Sequence, residues 1–116
     1  MNERTIDLFI DDIIESIEKI ERYVKGMEFS NFENDDLTID GVIRNLEVIG
    51  EASAHIPDNI RNNYKDLPWK RIVGLRNIAI HGYFKIDLAI IWKIITKNIP
   101  ETKEVVLKIK KEFIKK

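Results

Sequence analysis

The chain has 116 residues, of which 44% are hydrophobic and 34% are charged, and its formal net charge is −1. This length suits one domain, spanning residues 1–116, and the near-neutral charge is unlike that of indiscriminate nucleic-acid binders, which usually carry a basic excess. Because there is no cysteine, a disulfide scaffold and thiolate metal sites are excluded, and a reducing cytoplasm is the expected location.

The first predicted element is an amphipathic helix from about Glu3 to Lys25. Apolar residues recur there at helical spacing between acidic and basic ones, and Gly26 follows as a stop signal. Charges interrupt the segment too often for a signal peptide or a membrane span, so no membrane association is expected. The stretch GMEFSNFENDD then reads as a polar connector.

A second helix is predicted from about Asp35 to His55, and Pro57 stops it. Its apolar stripe contains Gly50 and Ala52, whose small size permits a neighbouring helix to approach closely. The following PDNIRNNYKDLP is expected to be a loop with at most one short helical turn.

The second half of the chain predicts two or three further helices. Pro68 suits the first position of a third helix, and Gly82 is a natural stop for it. Asp87 can cap a fourth helix over the apolar run LAIIWKIITKN, and Pro100 is expected to break that helix and open a fifth. The sequence therefore predicts an all-α, up-and-down bundle of four to five helices.

The stretch GLRNIAIHGYFKID, residues 74–87, places a guanidinium and an imidazole near a predicted helix end. Arg76 and His81 stand five positions apart, which on an uninterrupted helix separates them by about 140°. They converge if the helix ends near Ile80, so that Gly82 lets His81 swing back, or if a second copy of the chain supplies the partner across a two-fold axis. Both arrangements are compatible with the sequence.

These residue types suit cleavage of RNA without a metal or a cofactor. Arginine binds phosphate oxygens through its planar fork, and histidine exchanges protons near neutral pH. In such a reaction the ribose 2′-hydroxyl attacks the adjacent phosphorus, His81 moves a proton and Arg76 stabilises the added charge. Asn77 could orient Arg76, and Tyr83 could hydrogen-bond the phosphate or the leaving group. Since transfer needs both a proton acceptor and a donor, two histidines in one cleft would favour a homodimer.

Other polar residues admit both functional and structural interpretations. Arg76 and His81 could themselves merely cap carbonyls or pair with a carboxylate, and His55 could carry protons or simply suit a helix C-terminus. Glu47 and Glu51 share a helix face; they could bind a cation, orient Arg76 or remain solvated, and Glu51 is the better candidate for supporting Arg76. An acidic group on the first helix has no histidine nearby and is interpreted as surface: Asp11, Asp12 and Glu15.

The stretch WKRIVGLRNIAIHGYFKID resembles the signature of the HEPN superfamily and, more narrowly, of the HepT-like toxins. Their pattern is arginine, four residues, histidine, any residue, tyrosine. Arg76, His81 and Tyr83 match that pattern position by position, and Asn77 matches its polar neighbour. The upstream VIRNLEVIGEASAHIP also resembles the second helix of that group, so the resemblance covers nearly the whole chain.

The resemblance implies a HEPN-like helical bundle that dimerises with its two motifs facing each other. It implies a metal-independent endoribonuclease that acts as the toxin of a toxin–antitoxin pair. The cognate antitoxin would be a minimal nucleotidyltransferase that silences the toxin by transferring AMP onto Tyr83, placing negative charge where substrate phosphate should bind. Two alternatives remain: a non-catalytic nucleotide- or partner-binding module for such a nucleotidyltransferase, and a plain helical interaction protein.

Overall fold

The computed structural model describes residues 3–78 and 87–114, and every regular element within these ranges is helical. The helices in chain order are α1 (Glu3–Val24), α2 (Phe29–Glu33), α3 (Asp36–Ala54), α4 (Asp58–Arg61), α5 (Trp69–Gly74), α6 (Leu88–Lys93) and α7 (Ile99–Ile109). The predicted all-α bundle is confirmed. Each of these helices is too short or too polar to cross a membrane.

The centre of the bundle is the pair formed by α1 and α3. Both helices bury the stripes that their sequences predict, because apolar residues three and four positions apart lie on one face. The fully buried members of the two stripes include Ile10, Ile13, Ile17, Val42, Leu46 and Ile49. Gly26 has a φ of 77° just beyond α1, a backbone conformation that favours glycine, and the predicted stop is thereby confirmed.

The side chain of Asp35 determines where α3 begins. One of its carboxylate oxygens accepts a hydrogen bond of 3.0 Å from the backbone N–H of Thr38, which satisfies one of the first amides of the helix. This hydrogen bond holds the pKa of Asp35 below its ordinary value, because it favours the charged form. At the other end, α3 stops before Pro57, as predicted.

The connector between α1 and α3 is more ordered than the sequence pattern predicts. It contains α2, whose Phe32 is fully buried and lies 5.1 Å from the ring of Trp92. A reciprocal pair of hydrogen bonds between Glu28 and Asn31 closes the first turn of this helix. The prediction of a polar connector was therefore wrong at Phe32, because burial of this one aromatic side chain outweighs the polarity of its neighbours. In the later loop, α4 is the predicted short turn.

Pro100 lies at the start of the last α-helix, as predicted, but, contrary to prediction, it does not break the helical segment before it. A π-helical turn, Ile94–Asn98, joins α6 directly to α7, and Pro100 lies in the first turn of α7. Proline lacks an N–H and its ring collides with the carbonyl four residues earlier in a regular α-helix. The wider turn, in which the N–H of Ile99 donates to the carbonyl of Ile94, relieves that requirement. α6, the π-helical turn and α7 consequently form one continuous helical segment.

Two polar contacts connect the end of this helical segment to the rest of the bundle. Lys110 binds the carboxylate of Asp11 on α1 at 2.5 Å, and this contact raises the pKa of Lys110. The hydroxyl of the buried Tyr64 donates to Glu112. Burial, and then the neighbouring Glu112 carboxylate, raises the pKa of Tyr64 to about 12. The hydrogen bond between Tyr64 and Glu112 thus connects the end of this segment to the loop that precedes α5.

Candidate active site

Gly50 is the residue that lets α5 and its continuation lie against α3. Beyond α5 the chain tightens into a 3-10 turn, Leu75–Asn77, which crosses α3 at this glycine. A Cβ atom at Gly50 would lie 2.2 Å from the backbone nitrogen of Arg76 and 2.9 Å from the carbonyl carbon of Leu75. Any larger residue would therefore push this turn away from α3. The predicted close approach at Gly50 is confirmed, and it determines where the backbone of Arg76 lies.

Arg76 is linked to α3 through an exposed ion pair. Its Nη1 lies 3.7 Å from Oε1 of Glu51, whose Oε2 lies 3.2 Å from Nε2 of His55. The side chains of Arg76 and Glu51 are 43% and 61% exposed, so the pair contributes little to stability. Among the described residues, Glu51 engages one nitrogen of a guanidinium that has five N–H donors in all, so Arg76 can still bind a phosphate. Glu51 therefore lies beside the guanidinium without occupying it fully.

His55 completes this row of polar groups at the end of α3. It is the residue that caps α3, and its ring stacks on Phe9 of α1 with the ring centres 4.4 Å apart and the planes within 5° of parallel. Stacking and the contact with Glu51 hold the imidazole at a defined position. The structural interpretation of His55 accounts for both contacts. Glu51 lies between His55 and Arg76 and contacts both side chains.

A cleft of about 610 Å³ opens between α1, α3 and the 3-10 turn. Its charged lining consists of Asp12, Arg44, Glu47, Glu51 and Arg76. Asn77 also lines it, beside Arg76, while Phe9 and Val48 supply apolar surface. The cleft thus combines two guanidinium groups, which suit phosphate oxygens, with three carboxylates, which oppose a polyanion unless they are paired with cations.

The structure brings three of the predicted site residues together and adds others. Arg76, Asn77 and Glu51 line the same cleft. His81 and Tyr83 lie outside the described residues, as does the predicted helix stop at Gly82.

Arg44 and Asp12 are functional candidates that reasoning from the sequence missed. Arg44 stands seven residues before Glu51, two helical turns, so both share a face of α3 and the sequence contained that signal. Asp12 was assigned to the surface, and only the packing of α1 against α3 turns it towards the cleft. Among the residues that the structure describes, no group of three or more histidine and acidic side chains is arranged to hold a metal ion.

Comparison with known proteins gives a consistent picture across most of the chain. The model of the family described as ribonuclease HepT-like matches residues 13–109. A protein of Methanocaldococcus jannaschii whose name marks it as an inferred RNase is 41% identical over 104 residues, which cover 90% of this chain and 95% of that protein. A second inferred RNase of the same organism is 38% identical over 116 residues, the full length of both chains.

A further relative comes from Thermococcus cleftensis and is named a probable ribonuclease HepT. It is 38% identical over 95 residues, which cover 82% of this chain and 86% of that protein. No solved structure matches the chain significantly. The family match covers most of the chain, and each of these relatives is at least 38% identical over 82% or more of it, so the chain belongs to the ribonuclease HepT-like family.

Proposed function

We propose that the protein is a metal-independent endoribonuclease that uses Arg76 and His81, and that it acts in the cytoplasm as the toxin of a toxin–antitoxin pair. The observation that carries the proposal is the cleft in which Arg76 is held by Glu51 beside Asn77. Membership of the ribonuclease HepT-like family supports RNA as the substrate. The motif residues His81 and Tyr83 follow Arg76 by five and seven positions in the sequence.

The proposed reaction is an attack of the ribose 2′-hydroxyl on the adjacent phosphorus. The 2′-oxygen–phosphorus bond forms, the phosphorus–5′-oxygen bond breaks, and the first product ends in a 2′,3′-cyclic phosphate. His81 accepts the 2′-hydroxyl proton or donates one to the departing 5′-oxygen. Arg76 binds the non-bridging oxygens, whose charge increases in the transition state. Asn77 and Tyr83 would hold the phosphate in line.

A homodimer would supply what one chain lacks. A single copy contributes one His81, whereas the reaction needs a proton acceptor and a donor at once. Its cleft also presents three carboxylates against two guanidinium groups, which is a poor balance for binding a phosphate chain. A two-fold axis close to Arg76 would bring a second arginine and a second histidine to the same cleft.

The proposed partner is a nucleotidyltransferase antitoxin that transfers AMP onto Tyr83. Tyr83 stands two residues after His81, so a phosphodiester there would add negative charge beside the groups that bind the substrate phosphate. The modification would block RNA by charge and by volume.

RNA cleavage in excess chelator tests the catalytic proposal. The unmodified protein is expected to cleave RNA, while Arg76→Ala and His81→Ala are expected to lose nearly all activity. Arg71→Ala is the matched control, because Arg71 is an exposed arginine of α5 outside the Arg76 cleft. Equal cleavage by the wild-type protein and His81→Ala would refute the assignment. Tight nucleotide or partner binding with no RNA turnover would instead support the non-catalytic binding module.

Intact mass tests the partner proposal separately. Co-expression with the proposed cognate nucleotidyltransferase should add AMP-sized increments to the wild-type protein and none to Tyr83→Phe. The Tyr83→Phe protein should keep the helical circular-dichroism spectrum of the wild type, which distinguishes loss of the acceptor from loss of the fold. Increments that persist in Tyr83→Phe would place the modification on another residue.

A further inference from the structure

A basic groove lies between α4, the loop that follows it and α5, and it is separate from the Arg76 cleft. It has a volume of about 460 Å³, and three cations line it, Arg61, Lys65 and Lys70, with Asp58 as the one lining carboxylate. In the whole chain 20 acidic residues face 19 lysines and arginines. The excess of positive charge in this groove is therefore a local feature and not a consequence of composition.

The two lysines of the groove are available to a ligand. Both are exposed, and neither forms an ion pair with a carboxylate within the part of the chain that the structure describes. Arg61 is different, because it donates hydrogen bonds of 2.9 and 2.8 Å to the carbonyls of Ile56 and Ser53. Arg61 is thus held against the end of α3 by these hydrogen bonds. Lys65 and Lys70 lie in the same groove and are free to engage anionic groups.

Among the described residues, nothing covers the surface between this groove and the Arg76 cleft at Gly74. Val73 lines the groove and Asn77, four residues later, lines the cleft. Gly74 lies between them, and a Cβ atom built there would meet no atom of the described residues within 4 Å. From Lys70 to Asn77 the helix rises about 12 Å, at ~1.5 Å per residue in the α-helical part and ~2.0 Å in the 3-10 turn. Because Gly74 has no side chain, its backbone lies bare along this path.

We propose that Lys65, Lys70 and the bare backbone at Gly74 form a phosphate track, which binds the RNA strand beside the nucleotide that is cleaved. The inference rests on the proposed function, since it extends the same substrate beyond the Arg76 cleft. A length of about 12 Å is enough to contact more than one phosphate of an RNA strand. An acidic segment of a partner protein would suit the same lysines, but continuity with the Arg76 cleft favours the RNA strand.

The track supplies the positive charge that the cleft is short of. Lysine binds phosphate as a point charge and does not read bases, so the track would add affinity without sequence preference. The preference for one cleavage point would then come from the Arg76 cleft, while the strand on one side of that point is held by Lys65 and Lys70. A long RNA should consequently bind better than a short one that fills only the cleft.

Binding of RNA oligonucleotides that carry 2′-O-methyl groups tests the track, because they cannot undergo 2′-hydroxyl attack. A dodecamer and a trinucleotide are compared by fluorescence anisotropy over a range of salt concentrations. In Lys65→Gln/Lys70→Gln, the slope of log Kd against log salt for the dodecamer should fall by about 1.4, at ~0.7 per phosphate contact. Between about 50 and 200 mM salt, that makes the wild-type Kd change roughly sevenfold more than the variant's. Trinucleotide binding should be unchanged.

Two further variants sharpen the test. Gly74→Glu puts a carboxylate on the path and should weaken dodecamer binding, whereas Gly74→Gln controls for volume. Lys25→Gln/Lys93→Gln removes the same charge from exposed lysines near α2, at another part of the bundle, and should leave the salt slope unchanged. An unchanged slope in Lys65→Gln/Lys70→Gln overturns the track, as does an equal slope change in both double variants.

The outcomes separate the track from the proposed function. If the 2′-O-methyl dodecamer shows the expected slope change but unmodified RNA is not cleaved, the track stands and the catalytic proposal fails. If Lys65→Gln/Lys70→Gln cleaves and binds long RNA as the wild type does, the catalytic proposal stands and the track fails. Loss of nucleotidyltransferase binding alone, with RNA binding intact, would assign the groove to the partner protein and also overturn the track.

Discussion

Substitution of Gly50 by alanine should displace the 3-10 turn that follows α5, while α3 itself remains helical. The added Cβ would lie 2.2 Å from the nitrogen of Arg76 and 3.0 Å from its Cα, and both are backbone atoms that cannot rotate away. An ordinary contact to a Cβ is at least 3.4 Å, so the 3-10 turn must retreat by about 1 Å. Arg76 would then move relative to Glu51 and to the cleft.

The expected magnitudes are a small net loss of stability and a large loss of activity. Overpacking of this kind costs about 1–3 kcal/mol, while alanine in a helix is favoured over glycine by up to about 1 kcal/mol. The net loss in the free energy of unfolding should therefore be about 1–2 kcal/mol. Displacement of a positioning group by about 1 Å can cost on the order of a hundredfold in rate, so kcat/KM for RNA should fall by about that factor.

Urea denaturation and RNA cleavage, measured on the same preparations, provide the assay. Gly74→Ala is the matched control, because its backbone is helical and its Cβ meets no atom within 4 Å. That change should raise stability by about 0.4–1 kcal/mol through the unfolded chain and leave unaltered the cleavage of a trinucleotide, which fills only the Arg76 cleft. Full activity of Gly50→Ala, or an equal loss in both variants, would refute the reasoning.

Three further changes test other contacts. In Glu51→Gln, the orientation of Arg76 should be lost and a negative charge removed from the cleft, so kcat should fall by a factor on the order of ten while KM for RNA also falls; a rise in kcat would contradict the orienting role. Tyr64→Phe removes the hydrogen bond to Glu112 and should lower the free energy of unfolding by about 1 kcal/mol in urea titrations; an unchanged midpoint would contradict it. Because the folded-state pKa of Asp35 is lowered from 3.8, its stabilising contribution is present at neutral pH and is lost as the pH falls through that lowered value. Thermal melts should show this acid loss in the wild type and not in Asp35→Asn, which still caps the helix; equal acid sensitivity of the two proteins would rule it out.

Much of the fold follows from local sequence, because α1 and α3 carry long amphipathic stripes and clear end signals. The two errors have distinct physical causes. Phe32 orders a connector that is otherwise polar, since it finds Trp92 on a helix sixty residues away. Pro100 is accommodated by a preceding π-helical turn, and the sequence contains no local signal for that turn.

The candidate site divides in the same way. Glu51 and His55 are neighbours because they stand four apart on α3, and that pairing is local. The contact of Glu51 with Arg76 depends on Gly50, whose small size is visible in the sequence although its partner is not. Arg44 and Asp12 reach the cleft only through the packing of α1 on α3. The roles of His81 and Tyr83 stay predictions from the motif.

The most direct test of the central claim is the chemistry of the RNA ends produced in excess chelator. Two oligonucleotides of one sequence are compared, one entirely ribose and one with a single 2′-deoxy nucleotide at the cleavage point. We expect the first to yield a 2′,3′-cyclic phosphate with the wild-type protein and not with Arg76→Ala or His81→Ala, and the second to stay intact at that point. Cleavage of the 2′-deoxy substrate at the same position, or cyclic phosphate from either variant at the wild-type rate, would contradict the account.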